Sequence, residues 1–133
     1  NLTTEIPVKK KAKARKIEER TILIFKDGKQ IAIRKRPAKG LLAGLYEFPN
    51  VEGHLRTEEV IGYAQTAGLT PVRVKRIGTA KHIFSHVEWH MTAYYIRCRK
   101  TNKKWKWVTK ESLDETYALP SAFRPFREQI ENL

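Results

Sequence analysis

The sequence contains a single cysteine, Cys98, and has no long apolar run. One thiol cannot form an internal disulfide, and it cannot supply the four ligands of a structural zinc site or an iron–sulfur cluster. A membrane-spanning helix needs about 20 consecutive apolar residues, and no secretory segment is present either. These absences predict a protein of the reducing cytoplasm, with no cofactor or metal bound to this chain and no membrane partner.

Acidic residues are scarce relative to basic ones. The chain has 27 Lys and Arg against 14 Asp and Glu, which gives a formal net charge of +13. A length of 133 residues with 41% hydrophobic content suits one folded domain. A polyanion is the natural partner of so basic a chain, and nucleic acid is the commonest one; general solubility charge is the alternative.

Residues 1–16 contain no aromatic side chain, and Glu5 is their only acid. We therefore predict a basic linker or arm over 1–16 and a folded domain over 17–133. The chain begins at Asn1 rather than Met, so we expect it to be a segment of a longer protein. Basic side chains in the linker and in one later cluster are candidates for contacts with DNA phosphates: Lys9, Lys10, Lys11, Lys13, Arg15, Lys16, Arg34, Lys35 and Arg36.

β-branched and aromatic residues alternate with polar ones over several short runs. A turn at Asp27-Gly28 joins the first two, and Pro49 ends a short third one. The predicted strands cover 19–25, 30–36, a segment before Pro49, 72–83, 87–98 and 103–108.

Three segments have the pattern of helices. The first covers 57–69, with Thr57 as N-cap and Gly68 at its end, and the second covers about 110–117. The third starts at Ser121 as N-cap and places Pro125 in its first turn. The element order predicts an α+β fold in which a mixed β-sheet, built mostly from hairpins, is flanked by helices.

Phe84, Ser85 and His86 lie between the two longest predicted strands. A hairpin tip of this kind can present one ring and two hydrogen-bonding side chains from a stiff base. The alternative is an ordinary surface hairpin whose Phe packs on the core. His82, His86 and His90 recur at every fourth residue, but in β-forming sequence this spacing straddles a turn, so we expect no metal site.

The segment 44–49 and the helix ending at Gly68-Leu69 resemble the core of the Nudix hydrolases. When the Nudix box is aligned on Gly68-Leu69, its Arg and three Glu positions are occupied by Ile61, Gly62, Gln65 and Thr66. In that family the carboxylates hold a divalent metal over a diphosphate. The resemblance therefore implies a Nudix-like fold without the hydrolytic reaction.

A more extensive resemblance links the chain to the C-terminal domain of bacterial adenine DNA glycosylases of the MutY type. The matching pieces fall between residues 31 and 120, and the main departure is the short segment between Pro49 and Thr57. They are Ile33–Pro37, Gly40–Pro49, Phe84-Ser85-His86 followed by Trp89, and Tyr117–Pro120.

This resemblance implies a non-catalytic domain that recognises 8-oxoguanine opposite adenine in double-stranded DNA during base excision repair. The lesion-recognition residues would be Phe84, Ser85 and His86. The glycosidase reaction and a [4Fe–4S] cluster would belong to an N-terminal domain in cis, and residues 1–16 would be the basic interdomain linker. The parent would be a monomeric bacterial enzyme of the cytoplasm, associated with the nucleoid through DNA.

Two other functions remain open at this stage. One is an active Nudix hydrolase that acts on an oxidised nucleotide. The other is a protein–protein adaptor, in which Trp105 and Trp107 would form an exposed contact surface. We expect both Trp side chains to lie in the core instead, as paired Trp residues on one face of a strand usually do.

Overall fold

The computed structural model describes residues 14–99 and 101–130, so the predicted phosphate contacts Lys9, Lys10, Lys11 and Lys13 lie outside the described residues. The described residues form seven strands and three α-helices, in the α+β pattern that the sequence predicts. They are β1 (Lys16–Asp27), β2 (Gln30–Lys35), β3 (Tyr46–Glu47), β4 (Asn50–Glu52), α1 (Thr57–Thr66), β5 (Thr70–Ile83), β6 (Val87–Arg99), β7 (Lys106–Thr109), α2 (Lys110–Glu115) and α3 (Arg124–Ile130). None of the helices in these ranges is long and apolar enough to cross a membrane.

The strands form one mixed sheet in the order β3-β2-β1-β6-β5, with β4 paired to β1 and β7 paired to β2. Its centre is a parallel ladder between β1 and β6, which runs from Lys16 opposite Val87 to Lys26 opposite Arg97. The β1–β2 and β5–β6 hairpins are antiparallel. The predicted mixed sheet is confirmed. The expectation of a mostly hairpin-built sheet missed this central parallel pair, which joins segments about seventy residues apart.

Side chains of the central strands alternate between two apolar layers, as a pleated strand requires. On one face, Trp89 and Met91 of β6 pack with Phe123 and Phe126 of the C-terminal segment. On the other face, Tyr94 and Ile96 of β6 pack with the buried residues of α1. A sheet covered by helices on both faces leaves mainly its ends and its loops for contact with a large ligand.

Trp105 and Trp107 both pack in the second of these layers, which contains Tyr94 and Ile96. This agrees with the prediction that the two Trp side chains lie in the core. Trp105 is 6% exposed, and its ring stacks on Phe25 with the centroids 5.0 Å apart. Trp107 is half-buried against the same layer, and its indole N–H donates to the carbonyl oxygen of Asn102. The strand itself begins only at Lys106 rather than at residue 103. This packing leaves no exposed two-Trp surface of the kind that the adaptor hypothesis requires.

Both ends of α1 are fixed by specific contacts. The N-cap is Arg56 rather than the predicted Thr57, because the Glu59 carboxylate accepts the Arg56 N–H at 2.9 Å. This bond lowers the pKa of Glu59. At the other end Gly68 adopts a φ of 86°, and the N–H groups of Gly68 and Leu69 donate to carbonyls of the last turn. This Schellman arrangement confirms Gly68 as the helix terminator.

The prediction of Ser121 as the N-cap of the last helix is wrong. Ser121 opens a 3₁₀ turn (Ser121–Phe123), in which the Phe123 N–H donates to the Pro120 carbonyl oxygen, and α3 continues from Arg124. Pro125 lies in the first turn of α3, as predicted, where its missing N–H has no intrahelical partner to lose.

The two glycines of the α1 region give a matched test of this assignment. We expect Gly68→Ala to lower the free energy of unfolding by about 1 kcal/mol or more, because a side chain is strained at this positive φ. Gly62→Ala should raise it by about 0.5–1 kcal/mol, because Gly62 is inside the helix and an added Cβ meets nothing within 4 Å. Urea unfolding measures both values. Destabilisation by the two variants alike would contradict the helix boundary.

Candidate nucleic-acid interface

The β5–β6 hairpin narrows to a two-residue tip. Its last strand pair is Ile83 opposite Glu88, and beyond it the Phe84 N–H donates to the Val87 carbonyl oxygen at 2.7 Å. Ser85 and His86 therefore form the turn itself, and both side chains are exposed. The structure places these two predicted lesion-recognition residues together at one end of the sheet.

Phe84, the third predicted recognition residue, faces back toward the core. Its ring meets the Trp89 ring edge-to-face at 5.0 Å and the His82 ring at 4.7 Å. Trp89 is itself 1% exposed and packs against Phe123. Aromatic pairs in this geometry contribute about 0.5–1.5 kcal/mol beyond area burial. Phe84 is thus the residue that fixes the base of the tip on the core, and it leaves Ser85 and His86 as the free side chains.

The end of the predicted linker is attached to this tip. The Arg15 guanidinium donates through Nε to the Phe84 carbonyl oxygen at 3.1 Å, and the Lys16 N–H donates to the His86 carbonyl oxygen at 3.2 Å. Lys16 is already the first residue of β1, one position before the predicted domain boundary. Arg15 and Lys16 were predicted as phosphate contacts, and the structure gives both a further part in framing the tip.

A buried ion-pair cluster lies next to the tip on β2 and β3. Glu47 is 2% exposed, and its two carboxylate oxygens accept from Arg34 Nε at 2.8 Å and from Arg36 Nη1 at 2.7 Å. Arg34 also donates to the Asn50 carbonyl oxygen, and Arg36 donates to that of Leu41. These two guanidinium groups are engaged inside the domain, so of the predicted phosphate contacts 34–36 only Lys35 is exposed and free of such pairing.

Arg36 also connects this cluster to the aromatic base of the tip. The guanidinium carbons of Arg36 and Arg20 lie 5.4 and 5.3 Å from the centroid of the Trp89 ring, within the range of cation–π attraction. Neither Arg20 nor Glu47 is among the site residues that the sequence predicts. The ion pairs depend on the pairing of β2 with β3, which sets Arg34 opposite Glu47 and cannot be deduced from local sequence.

An open apolar groove runs beside the tip. It has a volume of about 560 Å³ and is lined by Leu41, Ile83, Val87 and the tip residues 84–86. Ile83 is 54% exposed, although it is a large aliphatic residue on an edge strand. Apolar surface beside exposed hydrogen-bonding groups is suited to a flat ligand with a polar edge, such as a nucleobase or its sugar. The sequence analysis did not single out Leu41 or Ile83.

The three regularly spaced histidines do not converge. His82 contacts Phe84, His86 is at the tip, and His90 makes a hydrogen bond to the Glu88 carboxylate. That bond, aided by the charges of Lys81 and Arg15, lowers the pKa of Glu88. No group of three or more His, Cys, Asp or Glu that could hold a metal occurs among residues 14–99 and 101–130.

The helix that corresponds to the Nudix box carries no carboxylate at the aligned positions, since its two acids, Glu58 and Glu59, lie in the first turn. Gly62, Gln65 and Thr66 occupy the aligned positions on α1, and the Thr66 hydroxyl donates to the Gly62 carbonyl oxygen at 3.0 Å. Hard divalent cations prefer carboxylate oxygens. These residues do not fit the metal that Nudix hydrolases use, so no reaction step is assigned to such a metal here.

A model of the NUDIX domain matches residues 20–129. The chain belongs to the NUDIX domain family. Within the solved structures, this NUDIX domain is similar to the C-terminal domain of mouse MUTYH in its complex with human PCNA (22% identity, 86% of this chain and 88% of that chain, TM-score 0.68). It is also similar to the MutT NUDIX hydrolase of Burkholderia pseudomallei (15% identity, 87% and 99%, TM-score 0.69). At these identities the two likenesses establish the fold.

A curated relative is mouse adenine DNA glycosylase, with 34% identity over 75 residues. The matched region is 52% of this chain and 15% of the mouse enzyme, so the chain spans only a small part of that relative. The predicted resemblance to a Nudix-like domain and to adenine DNA glycosylases is confirmed.

The contact between Arg15 and the tip can be tested directly. We expect Arg15→Ala to raise the hydrogen-exchange rate of the Phe84 amide roughly two- to tenfold, which corresponds to losing a hydrogen bond of about 0.5–1.5 kcal/mol. Lys16→Ala is a matched control, because it removes the same charge while its backbone N–H can still donate to His86. Equal exchange rates in the two variants would show that Arg15 does not hold the tip.

Proposed function

We propose that this chain recognises 8-oxoguanine opposite adenine in duplex DNA, as the C-terminal domain of an adenine DNA glycosylase of base excision repair. In this proposal an N-terminal domain in cis, with a [4Fe–4S] cluster, excises the adenine, and the present fragment is not catalytic by itself. The observation that carries the proposal is the exposed Ser85-His86 tip on a base held by Phe84, Arg15 and the β1–β6 ladder. The similarity to mouse adenine DNA glycosylase supports it.

The chemistry of the lesion sets what the tip must do. 8-Oxoguanine carries a carbonyl oxygen at C8 and a proton on N7, so a hydrogen-bond acceptor of guanine becomes a donor. A reader therefore needs an acceptor that faces N7–H. The carbonyl oxygens of Phe84 and His86 already accept from Arg15 and Lys16, which favours the Ser85 hydroxyl as that acceptor.

His86 and the adjoining groove supply the remaining contacts in this proposal. The His86 side chain is exposed and can reach a second edge of the base or a phosphate. The apolar surface of Leu41 and Ile83 can cover a base or sugar face. Phe84 acts as the anchor of the tip rather than as a wedge between bases, because its ring is held against Trp89.

The phosphate backbone supplies affinity without sequence information. We assign this role to the exposed Lys35 and to four lysines of the predicted linker, Lys9, Lys10, Lys11 and Lys13. These four lie outside the described part of the chain. Arg15 and Lys16 can add to it through charge while they frame the tip.

The proposal predicts the effect of changing the tip. In the full-length enzyme, Ser85→Ala combined with His86→Ala should reduce the preference for 8-oxoguanine over guanine opposite adenine by roughly tenfold to a hundredfold, because a mismatched buried hydrogen bond costs about 1–3 kcal/mol. Binding isotherms with the two duplexes measure the preference. Single-turnover excision of bound substrate should change much less, because the chemical step belongs to another domain.

A matched control separates recognition from folding. Lys81→Ala removes an exposed side chain on the same hairpin, three residues before Phe84, and should keep the lesion preference. The melting temperature of each variant must equal that of the wild type within error. A stably folded double variant that still prefers the lesion as strongly as the wild type would overturn the proposed function.

The NUDIX fold keeps hydrolysis of an oxidised nucleotide as the second candidate. The carboxylates that hold the metal in Nudix hydrolases are replaced in this chain by Gly62, Gln65 and Thr66. We predict no release of pyrophosphate from 8-oxo-dGTP with magnesium or manganese above a heat-denatured control. Turnover that EDTA abolishes would contradict this prediction and favour the hydrolase.

A further inference from the structure

A second cluster of positive charge lies at the end of the sheet opposite the tip. Lys26, Arg97 and Arg73 stand in one row across β1, β6 and β5, and so project from the same face. Arg99 follows on that face two residues further along β6, and Lys75 pairs with Tyr95 in the preceding row. We call these five residues the basic cluster.

The basic cluster surrounds a concavity of about 450 Å³. Lys26, Arg97 and Arg99 line it together with Tyr95 and Val72. Burial raises the pKa of the Tyr95 hydroxyl, and the charges of Arg97 and Arg73 oppose this effect. Arg73, on the neighbouring strand, is therefore close enough for its charge to act on the Tyr95 hydroxyl.

The charges of the basic cluster are not balanced within the described part of the chain. The ion pairs between described residues involve other side chains, and Asp27, which also lines the concavity, pairs with none of the five. Like charges placed directly opposite each other on adjacent strands are destabilising. An anionic ligand would remove this repulsion.

We propose that the basic cluster is a second anion-binding site, which takes the phosphodiester backbone of nucleic acid at a place separate from the tip. Three of its five residues are arginines, whose planar guanidinium groups match phosphate oxygens in bidentate geometry. Its exposed apolar surface is limited to Val72, whereas protein interfaces are built around an apolar core. Protein–DNA interfaces are much more positively charged, as the basic cluster is.

Distance decides which nucleic acid can reach the basic cluster. Ten residues of β6 separate Arg97 from Val87, and at about 3.3 Å per residue this places the cluster about 33 Å from the tip. One turn of B-DNA is about 34 Å long. The phosphates can therefore come from the flank of the duplex that the tip contacts, or from a second duplex. The choice of nucleic acid rests on the proposed function, but the measurement below does not involve the lesion.

The test combines Arg73→Gln, Arg97→Gln and Arg99→Gln in the full chain. The control variant, with Lys39→Gln, Lys103→Gln and Arg124→Gln, loses the same charge from exposed positions that do not line the concavity. Fluorescence anisotropy with an undamaged duplex of about two helical turns gives the salt dependence of binding. Since each neutralised phosphate contributes about 0.9 to the slope, we expect the cluster variant to lower it by roughly 2 to 3 and the control by less than 1. Equal slopes in the two variants would overturn the proposal.

Two further arms identify the source of the phosphates. With a duplex shorter than one turn, a cluster effect that disappears assigns the site to the flank of the same duplex. An effect that persists, with two duplexes bound per chain, assigns it to a second one. Tight binding of polyglutamate to the cluster, with an unchanged DNA slope, would overturn the proposal in favour of an acidic protein segment. Loss of lesion preference is measured only with the Ser85 and His86 variants, so failure of either proposal is recognised separately.

Discussion

The parallel ladder between β1 and β6 is the interaction on which the rest of the structure depends. It sets the alternation that buries Trp89 under Phe84, and its first pair, Lys16 with Val87, lies directly at the base of the hairpin tip. Arg15 immediately precedes this ladder, so its guanidinium lies close enough to donate to the Phe84 carbonyl oxygen. Arg15 and Lys16 attach the tip to a segment about seventy residues away in the chain, and the Phe84 ring attaches it to Trp89, so the Ser85 and His86 side chains stand on a fixed base.

A shared scaffold can carry different chemistry when its polar groups are moved. Nudix hydrolases use carboxylates on one helix, whereas the corresponding helix here carries Gly62, Gln65 and Thr66 and serves to cover one face of the sheet. Among the described residues, the buried acid Glu47 forms ion pairs with Arg34 and Arg36. Removing one partner of a buried ion pair typically lowers the free energy of unfolding by about 3–5 kcal/mol, so the role of this carboxylate is to stabilise the fold. The Ser85-His86 tip and the basic cluster present exposed polar groups at the two ends of the sheet.

Local patterns were sufficient to predict much of this fold. The Asp27-Gly28 turn, the two long strands around residues 84–86 and the helix ending at Gly68 all follow from short-range sequence rules. Contacts set by strand order were not predictable in that way. Arg34 and Arg36 have the appearance of solvent-facing basic residues until β3 places Glu47 beside them, and Arg15 looks like part of a linker until the tip of the β5–β6 hairpin supplies its acceptor. Both cases concern charged side chains, whose contacts within the domain depend on partners distant in sequence.

Nuclear magnetic resonance titration of this chain with two duplexes, which differ only in 8-oxoguanine or guanine opposite adenine, tests the central claim most directly. If the tip reads the lesion, the amide shifts that differ between the two titrations will centre on Ser85 and His86, and the amides of α1 will respond alike to both duplexes. Differences centred on Gly62 and Gln65, or no difference at the tip at saturating lesion duplex, would contradict it.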